Sequence, residues 1–130
     1  MNRVVHFEIQ ATDPDRAQRF YNSVFGWDMK NLGEEMGNYR MIMTGNDAPG
    51  TKWPGINGGM SPRKGDAPVD GQAVNAYVCI IDVDDVVSCI SKVKEAGGVT
   101  ALDTMEVPGV GKLAYMKDTE GNLFGILQPS

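Results

Sequence analysis

The chain has 130 residues, 42% hydrophobic and 22% charged, which suits one domain with its own core and excludes a disordered chain. A net charge of −5 excludes nucleic acid and anionic membranes as main partners, and no apolar run is long enough to span a bilayer. Cys79 and Cys89 are too few for a disulfide scaffold, so both are read as reduced thiols and the cytoplasm is the expected location.

Val4 to Gln10 reads as a strand. Phe7 and Ile9 point to one face, His6, Glu8 and Gln10 to the other. Asp13 followed by Pro14 is a strong helix start, and Gly26 is a natural stop, which predicts a helix over 14–25. Its apolar stripe is Ala17, Phe20, Tyr21 and Val24. A second strand is expected over 27–30, a turn-rich stretch over 32–38, and a third strand over 39–44. A loop follows at 45–50, with Trp53 near its end. The weakest expected strand is 55–60, where three glycines point to close backbone approach. Residues 61–73 read as a linker rather than a domain boundary, because 60 residues alone would struggle to bury a core.

The second half repeats the order. A strand is expected over 73–81, then a helix near 84–96 capped by Asp82 or an aspartate just after it. Its stripe is Val86, Cys89, Ile90 and Val93, and Gly97-Gly98 ends it. Short strands follow at 99–103, 112–117 and 122–128, with turns at Pro108–Gly111 and Asp118–Gly121. Superposing the two helix stripes pairs Asp13 with Asp82 and His6 with Asn75. The predicted fold is α+β: two βαβββ modules, about 1–60 and 74–130, forming one domain in which curled mixed sheets surround a concave cup with the helices outside.

The phrases Val5-His6-Phe7-Glu8, Asp13-x-x-Arg16-Ala17-x-x-Phe20-Tyr21, Phe25-Gly26-Trp27, Val83-Asp84-Asp85-Val86, Lys94-Glu95-Ala96-Gly97-Gly98 and Lys117-Asp118-x-Glu120-Gly121-Asn122 span nearly the whole chain. In this order they resemble the vicinal oxygen chelate superfamily, which holds glyoxalase I, extradiol dioxygenases, antibiotic resistance proteins and methylmalonyl-CoA epimerase. The resemblance implies metal ligands from the first and last strand of each module. His6 matches the first of these positions. Asn75, or a neighbour up to Val78, stands at the second, Gly125 at another, and Ile56 to Met60 offers neither acid nor histidine. Catalytic zinc or iron sites take three protein ligands from His, Asp, Glu and Cys. Glu8 shares a face with His6 at roughly 6.5–7 Å along the strand, and no third donor is visible. The expectation is therefore no metal and no cofactor, with a divalent ion at His6 as the alternative.

His6 is the candidate base or hydrogen-bonding group, since its unperturbed pKa is near 6.5, and Glu8 the candidate orienting carboxylate or second base. For Glu8, a structural partnership with Arg40 is the competing reading. Trp53, Met60, Tyr77 and Tyr115 complete the expected wall of a small-molecule site. The reading favours a metal-free protein that binds a small organic molecule and associates as a homodimer. A metal-dependent lyase, isomerase or dioxygenase using His6, and a protein-interaction module, are the alternatives.

Overall fold

The computed structural model describes residues 1–45 and 55–130, so Trp53 and most of the loop expected over 45–50 lie outside the described residues. The chain divides into two compact units, His6–Tyr77 and Met1–Val5 with Val78–Ser130.

Strand β1 (Val4–Ala11), which belongs to the first unit from His6 onward, leads into helix α1 (Pro14–Phe25). Asp13 caps it by accepting from the Arg16 N–H at 3.1 Å, Pro14 sets the first helical φ, and Gly26 closes it in the left-handed conformation at φ 72°. Strands β2 (Asp28–Asn31), β3 (Arg40–Met43) and β4 (Gly58–Pro62) follow, in sheet order β2-β3-β4-β1. β4 runs parallel to β1, with Glu8 beside Gly59 and Ile9 beside Met60, and β3 runs antiparallel to β4, with Met41 beside Gly59. Glycines did not prevent this strand, which continues to Pro62 and takes Ser61 and Pro62 from the expected linker. Gly58 shows why: a Cβ there would sit 2.6 Å from the Phe7 ring. Phe7, Ile9, Ala11, Ile42 and Met60 form the core, with Ala17, Tyr21, Trp27 and Met29 packed on it. Only half of the expected α1 stripe does so, since Phe20 and Val24 are more than half exposed. Arg40 ties β3 to α1 through Asp15 (2.7 Å) and Gln18 (2.5 Å).

In the second unit, β5 (Val78–Asp82), helix α2 (Val86–Glu95), β6 (Val99–Val107), β7 (Gly111–Lys117) and β8 (Leu123–Pro129) give the order β5-β8-β7-β6. β5 starts at Val78 rather than near residue 73, and β6 reaches Val107 through two irregularities in its pairing. The helix cap is Asp85, whose carboxylate accepts from the Val87 N–H at 3.0 Å. Asp82 instead ends β5, and the next N–H, of Val83, bonds to the Leu127 carbonyl at 2.8 Å. The whole expected stripe of Val86, Cys89, Ile90 and Val93 packs into this core, on Val83, Ala114, Met116 and Ile126. Asp118 closes the last hairpin by accepting from the Asn122 side-chain amide at 3.0 Å and from the Asn122 and Glu120 N–H groups at 2.9 and 2.8 Å, contacts that hold its carboxyl below the usual range.

The repeat is real, but its offset differs from the one the helix stripes gave. The caps Asp13 and Asp85 correspond. The parallel pairs correspond as well: Glu8 with Gly59 matches Ile80 with Gly125, and Ile9 with Met60 matches Ile81 with Ile126. His6 therefore corresponds to Val78, not Asn75. The physical reason is the run Asp82-Val83-Asp84-Asp85, which offers three aspartates as caps, of which the strand ladder uses one.

Candidate functional site

Alternation along β1 divides its side chains. Phe7, Ile9 and Ala11 go to the α1 side, and His6, Glu8 and Gln10 to the opposite face of the first unit's sheet. Registered neighbours share a face, so Gly59 of β4, Met41 of β3 and Lys30 of β2 continue the row that starts at Glu8. Tyr39, two residues before Met41, belongs to the same face.

Tyr39 is the centre of this face. Its hydroxyl lies 2.9 Å from His6 Nε2. Burial, the charge of Glu8 and a hydrogen bond to Glu8 all push the phenol pKa well above its ordinary value. Its ring lies over Gly59, where a Cβ would run into the hydroxyl oxygen and Cζ. Glu8 is itself buried, at 9% exposure. His6 is half-buried. Desolvation lowers its pKa, and the neighbouring Glu8 charge opposes that shift. The face thus presents one imidazole, one phenol and one carboxylate in contact, flanked by half-buried Met41 and exposed Met43.

The other expected site residues fall elsewhere. Met60 pairs with Ile9 and is fully buried in the helix-side core, so it cannot touch a ligand on the His6 face. Tyr77 precedes β5 rather than standing on it, and its ring stacks on Phe7 at 5.3 Å, on the α1 side. Burial, with a hydrogen bond to Tyr77, pushes the Tyr21 hydroxyl up to about 12. Tyr115 is half-buried in the second unit, beside Gly125 in the β7–β8 register. Trp53 lies outside the described residues. Arg40, the alternative partner for Glu8, faces α1 and pairs with Asp15, whose carboxyl it holds below the usual range.

Tyr39 escaped the sequence reading because it appeared only as the edge of a strand. The available signal was Gly59. A glycine inside a strand marks a place that another group fills, and here the group is a phenol.

Among the described residues, the donor set does not fit a catalytic divalent ion. Among the described residues no three of His, Cys, Asp and Glu converge. The strand registers put Val78, Gly59 and Gly125 where the resemblance implied further ligands, and His6 Nε2 is already held by Tyr39. A separate open groove of about 350 Å³ lies at the start of α1, between Asp13, Arg16, Phe20 and the segment holding Arg63 and Ala67. Of the expected site residues, none lines it.

Two βαβββ units, each a mixed four-stranded sheet carrying one helix, define the class: an α+β protein of the glyoxalase/bleomycin resistance fold. The chain belongs to the Glyoxalase/Bleomycin resistance protein/Dioxygenase superfamily, whose family model matches residues 3–126. It is 29% identical over 124 residues to "Putative glyoxylase CFP32" of Mycobacterium bovis, covering 95% of this chain and 42% of that protein. The chain thus spans less than half the length of that relative. It is 31% identical over 120 residues to a glyoxylase-like domain-containing protein of Didymella fabae, covering 92% of this chain and 88% of that one. Among solved structures, methylmalonyl-CoA epimerase from Mycobacterium tuberculosis is similar in fold, with a TM-score of 0.63 at 14% identity over 98% of this chain and 87% of that one.

Proposed function

We propose that the chain binds a small organic molecule on the His6 face of its first unit, without a catalytic metal, and that His6 contacts the ligand as hydrogen-bonding group or proton acceptor. The observation that carries this reading is the His6–Tyr39–Glu8 contact. Buried polar groups cost free energy unless they are satisfied, and a few convergent polar groups beside apolar side chains, here Met41 and Met43, are features of small-molecule sites. Burial lowers the His6 pKa, which leaves the imidazole neutral at pH 7 with a lone pair available. The protein is proposed to act in the cytoplasm as a homodimer. Exposed Phe20, Val24 and Phe25 on α1 give it apolar surface suited to association.

A second reading, a metal-dependent enzyme of the glyoxalase type, is favoured by one observation: His6 stands at the first-strand ligand position of a family whose relatives carry the name glyoxylase. Ligand screening by thermal shift tests the first reading. A binder at about 100 times its dissociation constant stabilises the fold by roughly 2.7 kcal/mol. Hits should lose at least tenfold in affinity with His6→Ala. Hits indifferent to that change would place the site elsewhere. Elemental analysis showing one zinc, nickel or iron per chain, removed by His6→Ala, would establish the second reading.

A further inference from the structure

We propose that the groove at the start of α1 is a second binding site, on the helix side of the first unit's sheet, and that it takes a small organic anion, a carboxylate carried on a flat apolar body. Neither His6, Glu8 nor Tyr39 lines it, so it is separate from the His6 face. Its volume of about 350 Å³ lies near the lower end of small-molecule pockets and suits a one-ring compound.

The polar end is built where β1 and β4, which run parallel, both stop. The Arg63 N–H bonds to the Ala11 carbonyl at 2.9 Å, one step beyond the ladder. The Arg63 side chain then folds back over the end of β1. Its Nε donates to the Thr12 hydroxyl at 3.2 Å and its Nη2 to the Gln10 carbonyl at 3.0 Å. These contacts hold a half-buried guanidinium in the groove wall. Both side-chain partners are uncharged oxygens, and a guanidinium stays charged throughout the working pH range. Arg16, in the first turn of α1, lines the same groove. Among the described residues neither arginine enters an ion pair, whereas Arg40 of the same unit is paired with Asp15. One carboxylate, Asp13, also lines the groove, and it is engaged by the Arg16 N–H at 3.1 Å. Two guanidiniums against one carboxylate leave a positive site in a chain whose net charge is −5, and the complementary occupant is an anion.

The apolar end sets the body of that anion. Ala17, Phe20, Tyr21 and Ala67 line it. Phe20 is 53% exposed, yet its ring is held, because it meets the Tyr21 ring edge-on at 5.1 Å and Tyr21 stacks on Trp27 at 5.1 Å. A held, exposed ring beside small residues offers a face for offset stacking. An aromatic carboxylate satisfies both ends at once, with its head in the arginine fork and its ring on Phe20. Val24 and Phe25 do not line the groove, which leaves them to the proposed association.

The test is titration of benzoate into the full chain, with benzamide as the uncharged analogue of the same shape. Nitrogen-15 NMR at pH 7.5 and low salt follows the backbone amides and the arginine Nε–H signals. Benzoate should move the Ala17, Phe20, Ala67 and Arg63 signals saturably and bind about tenfold more tightly than benzamide. Arg16 is exposed, so Arg16→Gln removes charge without disturbing the strand ends, and it should weaken benzoate about fivefold. Arg63→Gln should weaken it further, with the fold checked by circular dichroism. His6→Ala should bind benzoate as the wild type does, which separates this site from the one proposed above. Equal affinity for benzoate and benzamide, benzoate binding unchanged in both arginine variants, or shifts centred on His6 and lost in His6→Ala would overturn the assignment.

Discussion

Gly59→Ala probes the core of the site by one methyl group. An ideal Cβ at this position falls within the van der Waals envelope of the Tyr39 hydroxyl and Cζ, so the ring must leave or the strands must part. The backbone itself accepts alanine, since Gly59 is not among the residues at positive φ. Overpacking costs about 1–3 kcal/mol. Loss of the His6–Tyr39 bond and of the Glu8 contact adds about 0.5–1.5 kcal/mol each. Reduced freedom of the unfolded chain returns about 0.4–1 kcal/mol. The net is a destabilisation of about 3 kcal/mol, which lowers the urea midpoint by about 1–2 M at ordinary denaturant slopes. In a Tyr39→Ala background the clash is absent, so Gly59→Ala should be neutral or slightly stabilising. A double-mutant cycle by urea unfolding should therefore give a coupling of about 3 kcal/mol. Equal losses in the two backgrounds would show that Tyr39 does not occupy the Gly59 position.

Met60→Ala should cost about 2–5 kcal/mol, because the side chain is fully buried in the first unit's core; chemical denaturation measures it, and ligand affinity at the His6 face should follow stability alone. Asp85→Ala should cost about 1 kcal/mol through the lost α2 cap, while Asp82→Ala leaves that cap intact; the difference appears in thermal melts. The His6 pKa is lower folded than unfolded, so the unfolded chain binds more protons between the two values. Stability should therefore fall as pH drops below about 6.5 toward the folded value, and His6→Gln should remove that part of the slope. Sedimentation at micromolar concentration should give twice the 14.1 kDa chain mass, and a species of 14.1 kDa alone would end the dimer proposal.

Much of the fold was legible because local chemistry and periodicity agreed. Asp13-Pro14 and Gly26 bound α1 at the expected residues, and the α2 stripe packed as read, because cap and stripe are set within one turn of the chain. The start of β5 was misread because Ala73 to Tyr77 has strand-like composition, and only pairing with β8 decides where the ladder begins. That shift carried Tyr77 off the expected face and onto Phe7. At the site, the facing of His6 and Glu8 followed from the period of two. Tyr39 could not be placed that way. Its role depends on a side-chain contact between residues 33 positions apart and on a glycine in a third strand, and periodicity carries neither.

The central claim is that the His6 face holds an organic ligand rather than a metal. The most direct measurement follows the two ring nitrogens of His6 while a thermal-shift hit, and separately zinc, is titrated into protein dialysed against chelator. The account predicts that the hit shifts the His6 ring nitrogens saturably and that equimolar zinc leaves both nitrogens unchanged. Tight one-to-one zinc binding at His6, or saturating ligand that leaves both nitrogens unmoved, would contradict it.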